Sequence, residues 1–147
     1  MRQYLNLGDN SIPISEKWDE YIDLYTHKKN ETEISFDVPK TRKKLEKTAT
    51  NCNLNDCIFQ IRSSGIRAYS LAEPFPTFTV SNSGGGPMIP VLSKERRRLN
   101  LIEMKRIMGF PDGYLFPVSR TNSIKQLANA VCPPVISSIC NDFSKLL

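Results

Sequence analysis

The side chains best suited to covalent or metal chemistry are four cysteines and one histidine in a chain of 147 residues. Cys52 and Cys57 could form half of a zinc site, but no second Cys/His pair is suitably spaced, and His27 lies far away in sequence. The cysteines are also too few and too irregularly spaced for a disulfide framework. We therefore predict no metal site and small, buried, reduced thiols.

Positive charge is concentrated in the second part of the chain. Residues 1–50 contain nine basic and nine acidic side chains, whereas residues 51–147 contain eleven basic and six acidic ones, and the net charge is +5. Between Val91 and Arg106, two acidic residues accompany six basic ones: Lys94, Arg96, Arg97, Arg98, Lys105 and Arg106. Such a patch can bind the phosphates of a nucleic acid, although a solvated helix face would have the same composition.

Strand-like segments follow the polar residues 28–55, which themselves indicate an irregular linker or a weak helix. The predicted strands are Cys57–Arg62, Ala68–Leu71, Phe75–Ser81 and Met88–Val91. The prolines among them favour short or edge strands. Three consecutive glycines, Gly84, Gly85 and Gly86, would let the backbone approach a partner closely, although a plain flexible turn would look the same.

Helices are predicted on both sides of these strands. Ser15 can cap a helix over about residues 16–27, whose apolar stripe consists of Trp18, Tyr21, Ile22 and Tyr25. Asn100 and Glu103 form a capping-box pair that opens a second helix, and Gly109 can close it.

A last helix begins at the Pro133-Pro134 pair, because proline is tolerated in a first helical turn. Its apolar stripe consists of Ile136, Ile139, Cys140, Phe143 and Leu147. This stripe is large for so small a protein, and it predicts that the helix docks on something outside the chain.

Two segments resemble motifs of the cytosine-C5 DNA methyltransferases. Residues 97–112, Arg-Arg-Leu-Asn-Leu-Ile-Glu-Met-Lys-Arg-Ile-Met-Gly-Phe-Pro-Asp, resemble the ninth motif of that family. Residues 125–131, Lys-Gln-Leu-Ala-Asn-Ala-Val, resemble the tenth motif, with Ala128 in place of the usual glycine. Thr79-Val80-Ser81 and the glycine triplet are similar to the core of the family's target-recognition domain. The resemblance covers roughly residues 57–147.

The resemblance implies that the chain contacts double-stranded DNA. Gln60, Arg62 and Arg67 occupy the region of the base-reading side chains, and an arginine can bind O6 and N7 of guanine with two hydrogen bonds. Thr79 and the backbone of Gly84, Gly85 and Gly86 would hold phosphates near a base flipped out of the duplex. Lys94, as a member of the basic patch, is a further candidate for a phosphate contact. Arg97 would brace the recognition domain.

The resemblance also implies S-adenosylmethionine as the cofactor, with Asn129 and Ala130 completing the rim of its pocket. In this family a cysteine thiolate adds to C6 of cytosine before the methyl group is transferred to C5. The Pro-Cys motif of that nucleophile is absent here, as are the Phe-x-Gly-x-Gly loop and the Glu-Asn-Val motif, and Cys132 precedes its proline. We therefore expect no catalytic residue in this chain.

The expected architecture is α+β, with a small twisted sheet, few helices and a C-terminal docking helix. Residues 1–56 would form an N-terminal helix and polar linker, residues 57–121 the recognition domain with the ninth motif, and residues 122–147 the tenth motif and a helix that packs on a catalytic domain. No apolar run approaches the ~20 residues of a membrane helix, and no signal-peptide pattern is present, which predicts a cytoplasmic location.

A chain that starts at Met1 just before a recognition region fits the small subunit of a split methyltransferase, whose separate catalytic chain carries the nucleophile. Two alternatives remain open from the sequence. One is a DNA-binding module without enzymatic function, and the other is a truncated, inactive methyltransferase fragment.

Overall fold

The computed structural model describes residues 2–5, 12–62, 64–78 and 90–146. Its strands are β1 (Ile12–Pro13), β2 (Leu45–Lys47), β3 (Cys57–Arg62), β4 (Gly65–Ser70), β5 (Val91–Leu92) and β6 (Arg97–Arg98). Its α-helices are α1 (Glu16–Tyr25), α2 (Lys40–Lys43), α3 (Leu101–Ile107), α4 (Arg120–Asn129) and α5 (Pro133–Ser144). Short 3-10 turns span Arg2–Tyr4 and Glu31–Glu33. The α+β class is the one that the sequence predicts.

The strands form one mixed sheet in the order β1-β6-β5-β3-β4-β2. The hairpin of β3 and β4 is its longest ladder, with Cys57 opposite Ser70 and Arg62 opposite Gly65. Neighbouring strands are antiparallel except β2 and β4, which run parallel. Gly65 permits that parallel contact, because it has a φ of +154° and a Cβ there would lie 2.6 Å from the Lys44 carbonyl oxygen.

Successive side chains along each strand point to opposite faces of the sheet, and both faces carry hydrophobic residues. Phe59 and Val91 belong to a first core, which α1 closes with its stripe of Trp18, Tyr21, Ile22 and Tyr25. Ile58 and Leu92 belong to a second core on the opposite face. There Met104 of α3, together with Ile124 and Leu127 of α4, closes the core. The family-like motifs therefore lie on the face opposite α1.

Residues 28–55 are part of the fold rather than an irregular linker. They supply α2 and β2, and Val38, Cys52 and Leu54 are buried in the first core. The expected strand over Phe75–Ser81 is wrong for residues 75–78, which form no strand, and the remainder lies outside the described residues. Pro74 and Pro76 explain this, because a proline has no N–H to donate to a strand ladder.

In the described part of the chain, no helix is long and apolar enough to cross a membrane. The same ranges contain no group of three or more His, Cys, Asp or Glu side chains that could hold a metal ion. All four cysteines are free thiols. Cys52 and Cys57 are buried as expected, whereas Cys132 is half-buried and Cys140 is exposed.

Candidate functional site

The ninth-motif segment is held together by a buried ion pair. Arg97 donates from Nη1 and Nη2 to the two carboxylate oxygens of Glu103 at 2.9 and 2.8 Å, and their side chains are 6% and 0% exposed. Glu103 also accepts from the Asn100 backbone N–H at 2.9 Å, and Asn100 Oδ1 accepts from the Glu103 N–H at 2.8 Å. This is the predicted capping box, and the pair fixes β6 to the first turn of α3.

Gly109 joins the ninth motif to the start of α5. Its φ is +77°, in the left-handed region, and a Cβ there would lie 2.6 Å from both Cδ and Cγ of Pro134. A glycine is therefore required twice, for the backbone conformation and for the close approach of the proline ring. The sequence identified Gly109 as a helix terminator, but the contact with Pro134 is tertiary and could not be seen there.

The tenth-motif segment forms the C-terminal end of α4, a helix that the sequence analysis did not identify. Its side-chain signal is weak, because only Ser123, Ile124 and Leu127 are buried among largely polar residues. Ala128 lies inside the helix and is not among the described residues with positive φ. The alanine in place of the usual glycine therefore needs no special backbone conformation.

Asn129 ends α4, and Ala130 follows it in an extended conformation. The Asn129 side chain is exposed and hydrogen bonds to no described residue. Ala130 and Gln126 border a recess of about 290 Å³ whose wall includes Phe110, Tyr114 and Phe116. These aromatic rings form one cluster, with centroids of neighbouring rings 5.0 to 6.4 Å apart. Asn129 therefore directly precedes, in sequence, a residue that borders this aromatic-walled recess.

Two of the predicted base readers, Gln60 and Arg67, have partners within the protein. Gln60 is 6% exposed, donates from Nε2 to the Thr77 carbonyl at 3.0 Å, and accepts from the Tyr69 hydroxyl at 3.3 Å. Arg67 binds the carboxylate of Glu46, its register partner on β2, at 2.8 to 3.1 Å. This ion pair raises the pKa of the Arg67 guanidinium. A base edge would have to displace these contacts.

Arg62 and Lys94 are exposed and form no ion pair with a described residue. Arg62 lies at the β3–β4 turn, opposite Gly65. Lys94 follows Ser93, whose N–H donates to the Cys57 carbonyl at the other end of β3. Because a strand rises about 3.3 Å per residue, these ends are roughly 16 Å apart. The remaining predicted DNA contacts, Thr79, Gly84, Gly85 and Gly86, lie outside the described residues.

Four of the six basic residues between Val91 and Arg106 bind partners within the protein, and three of these four bind carboxylates. Arg96 pairs with Asp19 and Asp23 of α1, which raises the pKa of its guanidinium. Arg106 pairs with Asp112 at 2.8 and 2.9 Å. Lys105 is 6% exposed and donates to the carbonyls of Asp112 and Tyr114. Arg97 binds Glu103. Among the described residues, the side chains of Lys94 and Arg98 are the two of these six that bind neither a carboxylate nor a carbonyl oxygen.

Helix α5 exposes its apolar side chains. None of its described residues is buried, and Ile136, Ile139 and Phe143 are 45%, 45% and 65% exposed. Cys140, on the same stripe, is also exposed, and Leu147 lies outside the described residues. The predicted apolar stripe is therefore present on α5, and no described part of the chain packs over it.

Comparison with known proteins relates these motifs to a family. The family described as C-5 cytosine-specific DNA methylase matches residues 6–145. Type II methyltransferase M.NlaX of Neisseria lactamica is 34% identical over 80 residues, 52% of this chain and 26% of that protein. Type II methyltransferase M.MspI of a Moraxella species is 43% identical over 51 residues, 35% of this chain and 12% of that protein. No solved structure matches the chain.

The chain spans about a quarter or less of the length of these curated relatives. The family match nevertheless covers nearly all of this sequence. It includes residues 97–112, which contain the Arg97–Glu103 pair, and residues 125–131, which include the end of α4. This chain belongs to the C-5 cytosine-specific DNA methylase family.

Proposed function

We propose that this chain recognises duplex DNA and completes the S-adenosylmethionine pocket of a DNA cytosine-5 methyltransferase whose catalytic groups lie on a separate chain. The observation that carries the proposal is the unburied apolar stripe of α5, directly after the tenth motif. A helix of 12 residues is marginal in water unless one face is packed. A catalytic domain that covers this stripe would supply the missing burial.

Replacement of Phe143 tests the docking. Burying a phenylalanine side chain contributes about 1.5–3 kcal/mol, and an unpaired buried charge costs several kcal/mol. Phe143→Asp should therefore block assembly with the proposed catalytic chain, as measured by size-exclusion chromatography. Asn141→Asp is the matched control, because it adds the same charge to α5 two residues away, on the opposite side of the helix. Normal assembly of Phe143→Asp would contradict the docking.

The cofactor role rests on the end of α4. When bound, S-adenosylmethionine supplies the methyl group, and the exposed Asn129 carboxamide, one residue before the recess-lining Ala130, would form one edge of its pocket. Asn129→Ala should raise the Michaelis constant for S-adenosylmethionine in the assembled enzyme and leave DNA affinity near wild type. Loss of DNA affinity with unchanged cofactor binding would contradict this role and indicate that Asn129 contacts DNA.

Arg62 is the first base reader that we propose, because its guanidinium is exposed and unpaired among the described residues. Arg62→Ala should cost about 1–3 kcal/mol of discrimination if it binds guanine with two hydrogen bonds. Competition binding of the assembled enzyme against single-base variants of the site measures this. An unchanged preference would exclude Arg62 as a reader.

Arg67 could read a base only by exchanging Glu46 for it. Glu46→Gln weakens that competition and should tighten specific DNA binding if Arg67 is a reader. The role of Gln60 is a weaker proposal, because both of its polar groups are already bonded.

Lys94 should act on all sequences alike, since a phosphate carries no sequence information. Lys94→Ala should reduce the slope of log affinity against log salt concentration by about one. A change confined to one DNA sequence would contradict the phosphate contact. Thr79 and the backbone of Gly84, Gly85 and Gly86 remain proposed phosphate contacts.

A further inference from the structure

A second group of cations surrounds a pocket on the α1 side of the sheet. Lys17, Trp18 and Tyr21 of α1, Arg42 of α2 and Arg98 of β6 line this pocket, which has a volume of about 380 Å³. Its described lining contains three cations and no acidic side chain. Arg98 points to this face because its neighbour Arg97 points to the other, where it binds Glu103.

Two arginine nitrogens at this pocket are buried without a hydrogen-bond partner, Arg42 Nη1 and Arg98 Nε. Buried N–H groups in native proteins nearly always have a partner, and an unpaired one is costly, more so when the group is charged. By contrast, Arg67, Arg96 and Arg106 each bind a carboxylate. Within the described residues, these two arginine N–H groups therefore have no acceptor, whereas those three arginines have carboxylate acceptors.

The electrostatics of the pocket also favour an anion. Burial raises the pKa of the Tyr21 hydroxyl, so this group stays protonated and remains a neutral donor next to Arg42. Within the described lining, positive charge meets no opposite charge.

We infer that this pocket binds a phosphate group, held by Arg42 and Arg98 with Lys17 at its mouth. A tetrahedral oxyanion accepts several hydrogen bonds at once, and a guanidinium donates them in a fixed fork that suits phosphate. The phosphate could belong to a DNA backbone or be a free anion. The inference does not rest on the proposed function, because none of the residues assigned there to DNA or cofactor lines this pocket.

Inorganic phosphate added to the 147-residue chain tests the pocket, with chloride at the same ionic strength as the reference. Once phosphate exceeds its dissociation constant, each tenfold rise in its concentration should increase the melting temperature by about 3–5 °C. Arg98→Gln and Arg42→Gln should abolish this increase. Arg106→Gln is the matched control and should keep it, because Arg106 is paired with Asp112 and does not line the pocket.

A DNA arm separates the two sources of phosphate. If the pocket holds a backbone phosphate, Arg98→Gln should reduce the salt slope of duplex binding by about one. If it holds a free anion, phosphate should stabilise the chain while the salt slope stays unchanged.

Lys17→Gln keeps the test decisive if an arginine variant does not fold, since Lys17 is exposed and outside the core. It should weaken the phosphate response or the salt slope in the same direction. Absence of any phosphate-dependent stabilisation of the wild-type chain, together with an unchanged salt slope in Arg98→Gln and Lys17→Gln, would overturn the inference.

Discussion

Breaking the buried pair of Arg97 and Glu103 should cost far more stability than breaking the exposed pair of Arg106 and Asp112. Glu103→Gln removes the negative charge and places an amide NH2 where a carboxylate oxygen now accepts from Arg97 or Asn100. The guanidinium, whose side chain is only 6% exposed, then loses the carboxylate that binds it with two hydrogen bonds. Breaking one partner of a buried ion pair typically costs about 3–5 kcal/mol.

Asp112→Asn is the internal comparison. It removes a carboxylate that Arg106 binds with two hydrogen bonds of similar length, but the Asp112 side chain is 64% exposed. Water can replace those bonds, so the unfolding free energy should stay close to that of the wild type. The two substitutions thus each remove a carboxylate that binds an arginine with two hydrogen bonds, and they differ in burial.

Urea denaturation followed by circular dichroism measures the free energy of unfolding for the wild type and both variants. A marginally stable domain has about 5–15 kcal/mol in total, so Glu103→Gln should lower the urea midpoint steeply or prevent folding. In the second case, the double variant Arg97→Met/Glu103→Leu should fold, because it leaves no buried charge. Equal midpoints for Glu103→Gln and Asp112→Asn would refute the reasoning.

Two further predictions concern glycine and thiol positions. Gly109→Ala should destabilise the fold by more than about 1–2 kcal/mol in urea denaturation, because it adds a left-handed backbone penalty to a 2.6 Å contact with Pro134. Gly113→Ala is the control and should leave the free energy of unfolding unchanged, because a Cβ at Gly113 would meet nothing within 4 Å. Equal effects of the two substitutions would contradict the contact with Pro134. Burial raises the pKa of the Cys57 thiol to about 12. Between pH 7 and 9, iodoacetamide should therefore modify Cys57 only when the protein unfolds, because the reactive thiolate is scarce, whereas the exposed Cys140 should react in the folded protein. Mass spectrometry identifies the labelled cysteines. Labelling of Cys57 in the folded protein would show that its thiol is not buried.

Local signals in the sequence were sufficient where an element is specified by its own residues. The stripe of α1 and the capping box of α3 are examples, because both depend on spacings of three or four residues. β2 could not be predicted, since Leu45–Lys47 is a strand only through parallel pairing with β4, about twenty residues later. α4 was missed because its buried side is narrow, with Ile124 and Leu127 as its only large apolar residues.

The candidate site was predictable as motifs and much less so as contacts. The patch between Val91 and Arg106 looked available for phosphates because its neighbours in sequence include few acids. Its partners come from far away, since Asp19 and Asp23 lie 77 and 73 residues before Arg96. Arg67 is likewise neutralised by Glu46 across strands. Periodicity and spacing report which face of an element is apolar, but only the tertiary fold shows which charges are already paired.

Methyl incorporation by separate and mixed chains tests the central claim most directly. Duplex DNA and labelled S-adenosylmethionine are supplied to this chain, to the proposed catalytic chain, sought in an adjacent reading frame, and to both together. Without a Pro-Cys motif this chain should transfer no methyl group by itself, whereas the mixture should methylate cytosine at one specific sequence. Methylation by this chain alone, or a mixture no more active than its components, would contradict the account.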